Sequence, residues 1–365
     1  MLKRLALLAA VLLCLASLAA FIAWKWWLAS VERFAGAPFG GGDAERLVEI
    51  PKGAGMKQVA RRLIDAGVVA DDERRLSAVA KSRGFDRRIK VGEFAFQGAL
   101  TPVAVLDQIA RGKVKLYPCT IPEGLRTDEI APLLEKCGYG TRAEIDRALH
   151  DPALIARAGL EAQGSFEGYL CPDTYAFPKG ARVEAVLLKM VARFREEYAR
   201  ADARRQKGVA LNAHEAATLA SIIEKETGVA SERPRISCVF HNRLKKKMKL
   251  QTDPTVIYAK LLRYGFFDGN IRRADLEFEH PYNTYTVKGL PPGPIASAGR
   301  AALEAALAPM DCDDLFFVAC GGGTHKFCPD YACHLKWVDV CQLGKKPAAA
   351  AVPATSAPRP ARPRD

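Results

Sequence analysis

No Cys-x-x-Cys pair with a second pair at finger spacing occurs in this chain of 365 residues, so its ten cysteines do not spell a zinc finger. Cys312, Cys320, Cys328, Cys333 and Cys341 cluster with His325 and His334. A disulfide-braced lobe is the better reading of that cluster than a zinc site, and no metal or other cofactor is expected. Nine cysteines lie beyond the first apolar run, an odd number that leaves at least one unpaired unless it bridges two chains. Acid is short as well: 41 Asp and Glu stand against 54 Lys and Arg, for a net charge of +13. Such a balance suits an anionic partner, whether lipid headgroups, nucleic acid or an acidic wall polymer.

The apolar run Leu5 to Trp27 is long enough to span a bilayer, follows Lys3 and Arg4, and ends in a tryptophan cluster around Lys25. It reads as an uncleaved signal anchor over 5–28, with a cleaved signal peptide as the alternative. The positive-inside rule keeps residues 1–4 in the cytoplasm and sends the rest across, which sets nucleic acid aside as a partner. A glycine-rich linker is expected over 29–46, and the Pro/Ala-rich tail 345–365 reads as disordered.

An internal repeat follows. VEIPKGAGMKQVARRLIDAG from Val48 and CTIPEGLRTDEIAPLLEKCG from Cys119 align without a gap, pairing Ile50 with Ile121, Gly53 with Gly124, Val59 with Ile130, Leu63 with Leu134 and Gly67 with Gly138. Each copy predicts a strand, a Pro-x-Gly turn and an amphipathic helix stopped by glycine. A further strand is expected over 90–96, and a helix over 102–110 with Thr101 as cap. This α+β module, 47–118, is either a spacer or a polymer-binding unit resembling LysM repeats.

A larger mixed domain, 119–344, opens with the second repeat copy over 119–160. Asn212 and Glu215 form a capping-box pattern and Gly228 is a natural stop, so one short helix is expected from Ala213 to Thr227. At about 100° per residue Glu226 lies about 20° from Leu219, inside the Leu/Ile stripe, whereas Glu224 falls about 140° away and off it. Burial among aliphatics and the negative helix end both disfavour the charged form of Glu226, which suits it to act as a general acid. A paired structural glutamate, held by Arg233 or Arg243, is the plainer alternative. Glu167 and Asp173 are conceivable carboxylate partners, although Asp173 also reads as a turn residue. A second helix with Ser231 as cap would turn Asn242 and Arg243 outward. Beyond it, QTDPTVIY and HPYNTYTVKGLPPGPIAS read as strand-and-turn segments rich in sugar-binding side chains: Gln251, Thr252, Asp253, Tyr282, Asn283 and Tyr285.

The strings EGYLCPDTY, LASIIEKETGVASER, VFHNRLKKKMKLQTDPTVIY and YNTYTVKGLPPGPIAS resemble the YceG-like family of endolytic murein lytic transglycosylases, the MltG group, and the likeness runs over almost the whole chain. The resemblance implies a transmembrane helix, a LysM-like module and a lysozyme-like catalytic domain in the periplasm, anchored by a single pass in the bacterial inner membrane. It implies cleavage of the MurNAc-β-1,4-GlcNAc bond within peptidoglycan strands, leaving 1,6-anhydroMurNAc ends and limiting glycan length. Glu226 would be the catalytic acid, with Gln251, Asn283, Tyr285, Asn242, Thr252 and Tyr282 on the substrate. A second carboxylate is not required; an Asp253 nucleophile would make a hydrolase, and Pro254 beside it suggests a turn. Peptidoglycan synthases, the penicillin-binding proteins, are the implied partners. The chain departs from the family pattern at Cys328 and Cys333, where polar residues are expected. The rival readings are a non-catalytic glycan-binding scaffold and a hydrolytic muramidase or glucosaminidase.

Overall fold

The computed structural model describes residues 2–344; the tail expected to be disordered lies outside them. The chain is mixed α+β, with its strands in three two-stranded sheets among the described residues. It divides into two compact units.

The first unit comprises Met1–Cys119, Leu134–Thr141 and Thr174–Arg182. Helix α1 (Leu2–Gly36) is long and apolar enough to cross a membrane, and its first two-thirds is exposed apolar surface. Its last turns are different. Ser30, Val31 and Ala35 are buried, Trp27 and Phe34 pack on the same core, and Arg83 holds Glu32 at 2.6 Å. The linker expected over 29–46 is therefore shorter than the composition suggested. Apolar residues at helical spacing carry the helix through residue 36, and the backbone of Phe39 then pairs with Leu100.

Strand β1 (Arg46–Ile50) pairs antiparallel with β2 (Gly92–Phe96), Val48 opposite Phe94 and Ile50 opposite Gly92. Helices α2 (Met56–Asp65), α3 (Glu73–Ser82) and α4 (Pro102–Ala110) complete the unit. Thr101 accepts a hydrogen bond from the Ala104 amide and Pro102 opens α4, so the expected cap is in place. The second repeat copy forms β3 (Leu116–Ile121) and α5 (Thr127–Lys136). Both copies bury the matched positions Ile50 and Ile121, Val59 and Ile130, and Leu63 and Leu134. Each also places glycine at positive φ in the turn, Gly53 at 82° and Gly124 at 77°, where a side chain would be strained. The boundary expected at residue 119 is not a clean cut. Cys119 is bonded to Cys137, and β3 pairs with β4 (Asp173–Pro178), so the end of the second copy belongs to the first unit. Asp173, read as a turn residue, opens that strand and accepts from Arg193 at 2.7 Å.

The second unit, Thr120–Leu133, Arg142–Asp173 and Val183–Asp365, is mainly helical. Helices α6 (Arg142–Leu149), α7 (Pro152–Arg157) and α8 (Val183–Asp202) precede α9 (Ala213–Glu226), whose capping box is formed by Asn212 and Glu215 as the pattern predicts. Gly228 is not at positive φ; Thr227 ends the helix in an extended conformation. α9 is packed by α10 (Arg233–Lys245), α11 (Asp253–Tyr264) and α13 (Arg300–Leu307), and every residue from Ala216 to Ile223 is buried. The segment read as a strand after Gln251 is instead α11, opened by Pro254 in its first turn; α12 (Arg273–Glu277) follows. Residues 293–299 are not a sugar platform but core. Ile295 donates to the Ser221 hydroxyl at 3.0 Å, and Gly168, at φ 80°, leaves room for Pro294, which an added Cβ would meet at 2.1 Å. The unit ends in the hairpin β5 (Phe316–Ala319) and β6 (His325–Cys328), followed by α14 (Tyr331–Cys341).

Candidate active site

Where α9 ends, its last residue faces a cavity of about 410 Å³ lined by Glu226, Arg243, Gln251, Asp253, Tyr285 and His325, with the aromatic residues Phe316, Phe317 and Tyr331 among its walls. Each side chain arrives on a different element, and that is how residues distant in sequence converge. Glu226 comes from the end of α9, Asp253 from the start of α11, and His325 from the start of β6.

The Glu226 carboxyl accepts a hydrogen bond from the Thr252 hydroxyl. Burial pushes its pKa up to about 7, the nearby Asp253 charge adds to this, and the Thr252 hydroxyl and the Arg243 charge pull the other way. A carboxyl in this state holds its proton near neutrality and can give it to a bound oxygen. Asp253, read from Pro254 as lying in a turn, is the second carboxylate of the cavity, where the Tyr285 hydroxyl donates to it at 2.7 Å. Gln251 sits at the rim with φ 49°, a left-handed conformation that a non-glycine residue rarely takes.

Three expected substrate contacts are turned to other work. Asn242 spends its amide on the Cys312 and Asp314 carbonyls at 2.8 and 3.0 Å, fixing the approach to β5. Asn283 is fully buried and donates to the Phe278 carbonyl at 2.8 Å. Tyr282 packs on Tyr258 with ring centroids 4.9 Å apart and does not line the cavity. Arg243 is not presented to solvent either. It is buried, donates to the Leu315 and Leu250 carbonyls at 2.7 and 2.6 Å, and lies over the Phe316 ring. Lys245, Lys246 and Lys247 are exposed, and no lysine of that run reaches the cavity. The helix expected to be capped by Ser231 starts two residues later, after a single 3-10 turn over Ala230–Glu232.

The two glutamates of α9 are less different in burial than a wheel implies. Glu224, expected off the apolar stripe, has a side chain only 5 % exposed; it binds Arg233 at 2.6 Å and accepts from the Gly299 amide at 2.9 Å. A helix enclosed on most sides has no outer face, so periodicity cannot rank its polar residues. What separates the pair is company: Glu224 is ion-paired, and Glu226 opens on the cavity. Glu167 and Asp173 do not join them. Glu167 accepts from the Thr127 hydroxyl at 3.0 Å away from the cavity, and burial raises its pKa to about 7.

Residues that sequence reasoning did not assign to the site lie in the wall. His325 engages Glu232 through Nδ1 at 2.8 Å, and the Gly-Gly-Gly-Thr turn before it was the one available sign that its backbone was being aimed. Tyr331, His334, Val338 and Gln342 line the cavity from α14 and just beyond, a helix with no buried residue of its own. Disulfides fasten it at both ends, Cys328–Cys333 and Cys320–Cys341. A third bond, Cys238–Cys312, ties α10 to the approach. Excess thiol is therefore expected to raise amide exchange over residues 331–341 while α9 stays protected; equal exchange before and after reduction would show that packing alone holds the wall.

The model of the YceG-like family matches residues 48–340. The chain is 30% identical over 290 residues to a Bacillus subtilis protein named endolytic murein transglycosylase, covering 76% of this chain and 79% of that one. Relatives of the same name from two Streptococcus pneumoniae strains are 27% identical over 74% of this chain, which spans 54% of their length. The crystal structure of a yceG-like protein from Listeria monocytogenes superposes with a TM-score of 0.51 at 30% identity, covering 81% of this chain and 99% of that one.

Proposed function

The chain belongs to the YceG-like family, and from that premise we propose that it is a membrane-anchored endolytic lytic transglycosylase with Glu226 as its acid. The observation that carries the reading is the Glu226 carboxyl, held protonated near neutrality by burial and opening on a cavity. The substrate is the glycan strand of peptidoglycan, cut at the MurNAc-β-1,4-GlcNAc bond in the interior of nascent strands, which limits their length.

Glu226 gives its proton to the glycosidic oxygen as the bond to the MurNAc anomeric carbon breaks, and the GlcNAc 4-hydroxyl departs. The MurNAc C6 hydroxyl closes onto the same carbon, and its proton passes to a base, for which the carboxylate left on Glu226 is one acceptor. The nucleophile belongs to the substrate, so proximity takes the place of an activated water. Thr252 orients the acid; Gln251 and Tyr285 stand where a sugar would lie. α1 would anchor the chain in the inner membrane, with the rest of the first unit, a LysM-like glycan-holding module, and the second unit, a lysozyme-like domain, in the periplasm. Synthases that extrude the strands are the fitting partners.

Asp253 favours a second reading. A carboxylate in the same cavity, held by the Tyr285 hydroxyl, is the kind of group a retaining hydrolase uses as its nucleophile. Mass spectrometry of fragments released from purified peptidoglycan by the full chain in detergent decides between them. Anhydro ends are expected from the wild type. Hydrated reducing ends would mean hydrolysis, and fragments no more abundant than with Glu226→Gln would mean a scaffold.

A further inference from the structure

We propose that His325, oriented by Glu232, is a second catalytic group of this cavity: the base that takes the C6 hydroxyl proton, leaving Glu226 to act as acid alone. The inference rests on the transglycosylase reading and divides its two proton transfers between two residues.

The geometry is that of an oriented imidazole. Both oxygens of Glu232 are committed to His325, Oε1 accepting from its backbone amide at 2.9 Å and Oε2 meeting Nδ1 at 2.8 Å. A carboxylate only accepts, so Nδ1 carries the proton of the neutral ring and Nε2 carries the lone pair. The side chain is 9 % exposed, yet the residue lines the cavity that Glu226 opens on. Phe317 meets the ring edge-on at 5.4 Å and Phe327 flanks it at 6.3 Å, which holds its plane. Glu232 is itself tied to the acid's helix: the Thr227 hydroxyl, one residue past Glu226, donates to its Oε2 at 3.5 Å and accepts from the Val229 amide at 2.9 Å. A nucleophile's proton is commonly removed by a histidine whose second nitrogen is held by a carboxylate, and here the histidine of such a pair lines the cavity that Glu226 opens on. The other charged or titratable groups lining that cavity are Glu226, Asp253, Arg243, His334, Tyr285 and Tyr331.

The step balances. As O6 forms its bond to the anomeric carbon, the O6–H bond breaks and its proton moves to Nε2, giving an imidazolium facing the Glu232 carboxylate. Glu226, which gave its proton to the departing 4-hydroxyl, is by then a carboxylate. Transfer of one proton from His325 to Glu226 through solvent restores both groups, and no co-reactant is consumed.

The test uses the full chain in detergent on purified peptidoglycan, comparing His325→Ala, His325→Gln and Glu232→Gln with the wild type and with Glu226→Gln. Glutamine at 325 keeps a hydrogen-bonding atom near the Nε2 position but is no base. Both His325 variants are expected to lose about 100-fold in kcat, with KM changed by less than about threefold. Their residual products should shift from anhydro toward hydrated ends, since water competes once closure slows, and Glu232→Gln should lose about tenfold. Wild-type kcat and wholly anhydro products from His325→Gln would overturn the proposal and return the base role to Glu226. A wild type that makes no anhydro ends would overturn the transglycosylase reading and this inference with it. A His325→Ala protein that fails to fold leaves the glutamine variant to decide.

Discussion

Glu226→Gln is expected to lower kcat by about 10²- to 10⁴-fold, the range over which a positioned acid contributes, with KM within about threefold of the wild type. Glutamine has nearly the same shape, and its carbonyl oxygen can still accept from the Thr252 hydroxyl, so the loss is one of proton donation rather than of packing. The pH profile follows from the cause of the shift. Burial raises the Glu226 pKa to about 7, and its protonated form is the one that can act as acid, so activity should fall as pH rises through that value. Thr252→Val removes a hydrogen bond that favours the ionised form; the alkaline limb should then move to higher pH. Steady-state rates between pH 5 and 9 read both effects, and an alkaline limb that stays put in Thr252→Val would break the link between this hydroxyl and the acid.

Arg233→Ala should cost about 3–5 kcal/mol of stability, because it strands a carboxylate whose side chain is only 5 % exposed. Glu224 would keep the Gly299 amide but lose its Arg233 partner. Its folded-state pKa already lies above the ordinary carboxylate value, burial being the largest cause, and removal of the guanidinium would raise it further. A folded pKa above the unfolded one means the native state holds the proton more tightly, so stability falls as pH rises from the unfolded value through the folded one. The deficit of Arg233→Ala should therefore be larger at pH 8 than at pH 5. Urea unfolding at the two values measures it. The double replacement Glu224→Leu with Arg233→Met should recover most of the loss, as an apolar pair of similar volume commonly does. Equal deficits at both pH values would mean that the ion pair is not the source.

Signals carried by neighbouring residues were the legible ones. The capping box at Asn212, the Thr101-Pro102 helix start and the matched repeat positions need only a few adjacent side chains, and each forms as expected. The segment from Asp253 failed for a related reason. Thr-Val-Ile-Tyr favours a strand, and its β-branched preference outweighed the stronger local signal of a cap followed by proline in the first turn. Asn242 and Asn283 carry the right groups for a sugar, but a buried amide answers first to unpaired carbonyls nearby, and only the fold reveals where those are. Glu226 could be put forward as a candidate because its helix could be drawn from sequence alone. Its companions could not be: Asp253 and His325 meet it across α11 and the β5–β6 hairpin, and no spacing rule joins residues so far apart.

Because α14 has no buried residue of its own and is joined at both ends by disulfides, that wall of the cavity is expected to depend on oxidation more than on hydrophobic collapse. A newly made chain in a reducing cytoplasm would hold its acid helix in place with the cutting groove still unwalled. If α1 carries the chain across the membrane as proposed, assembly of that wall would wait for export, and the proposed glycan-cutting activity would mature only on the side where its substrate lies.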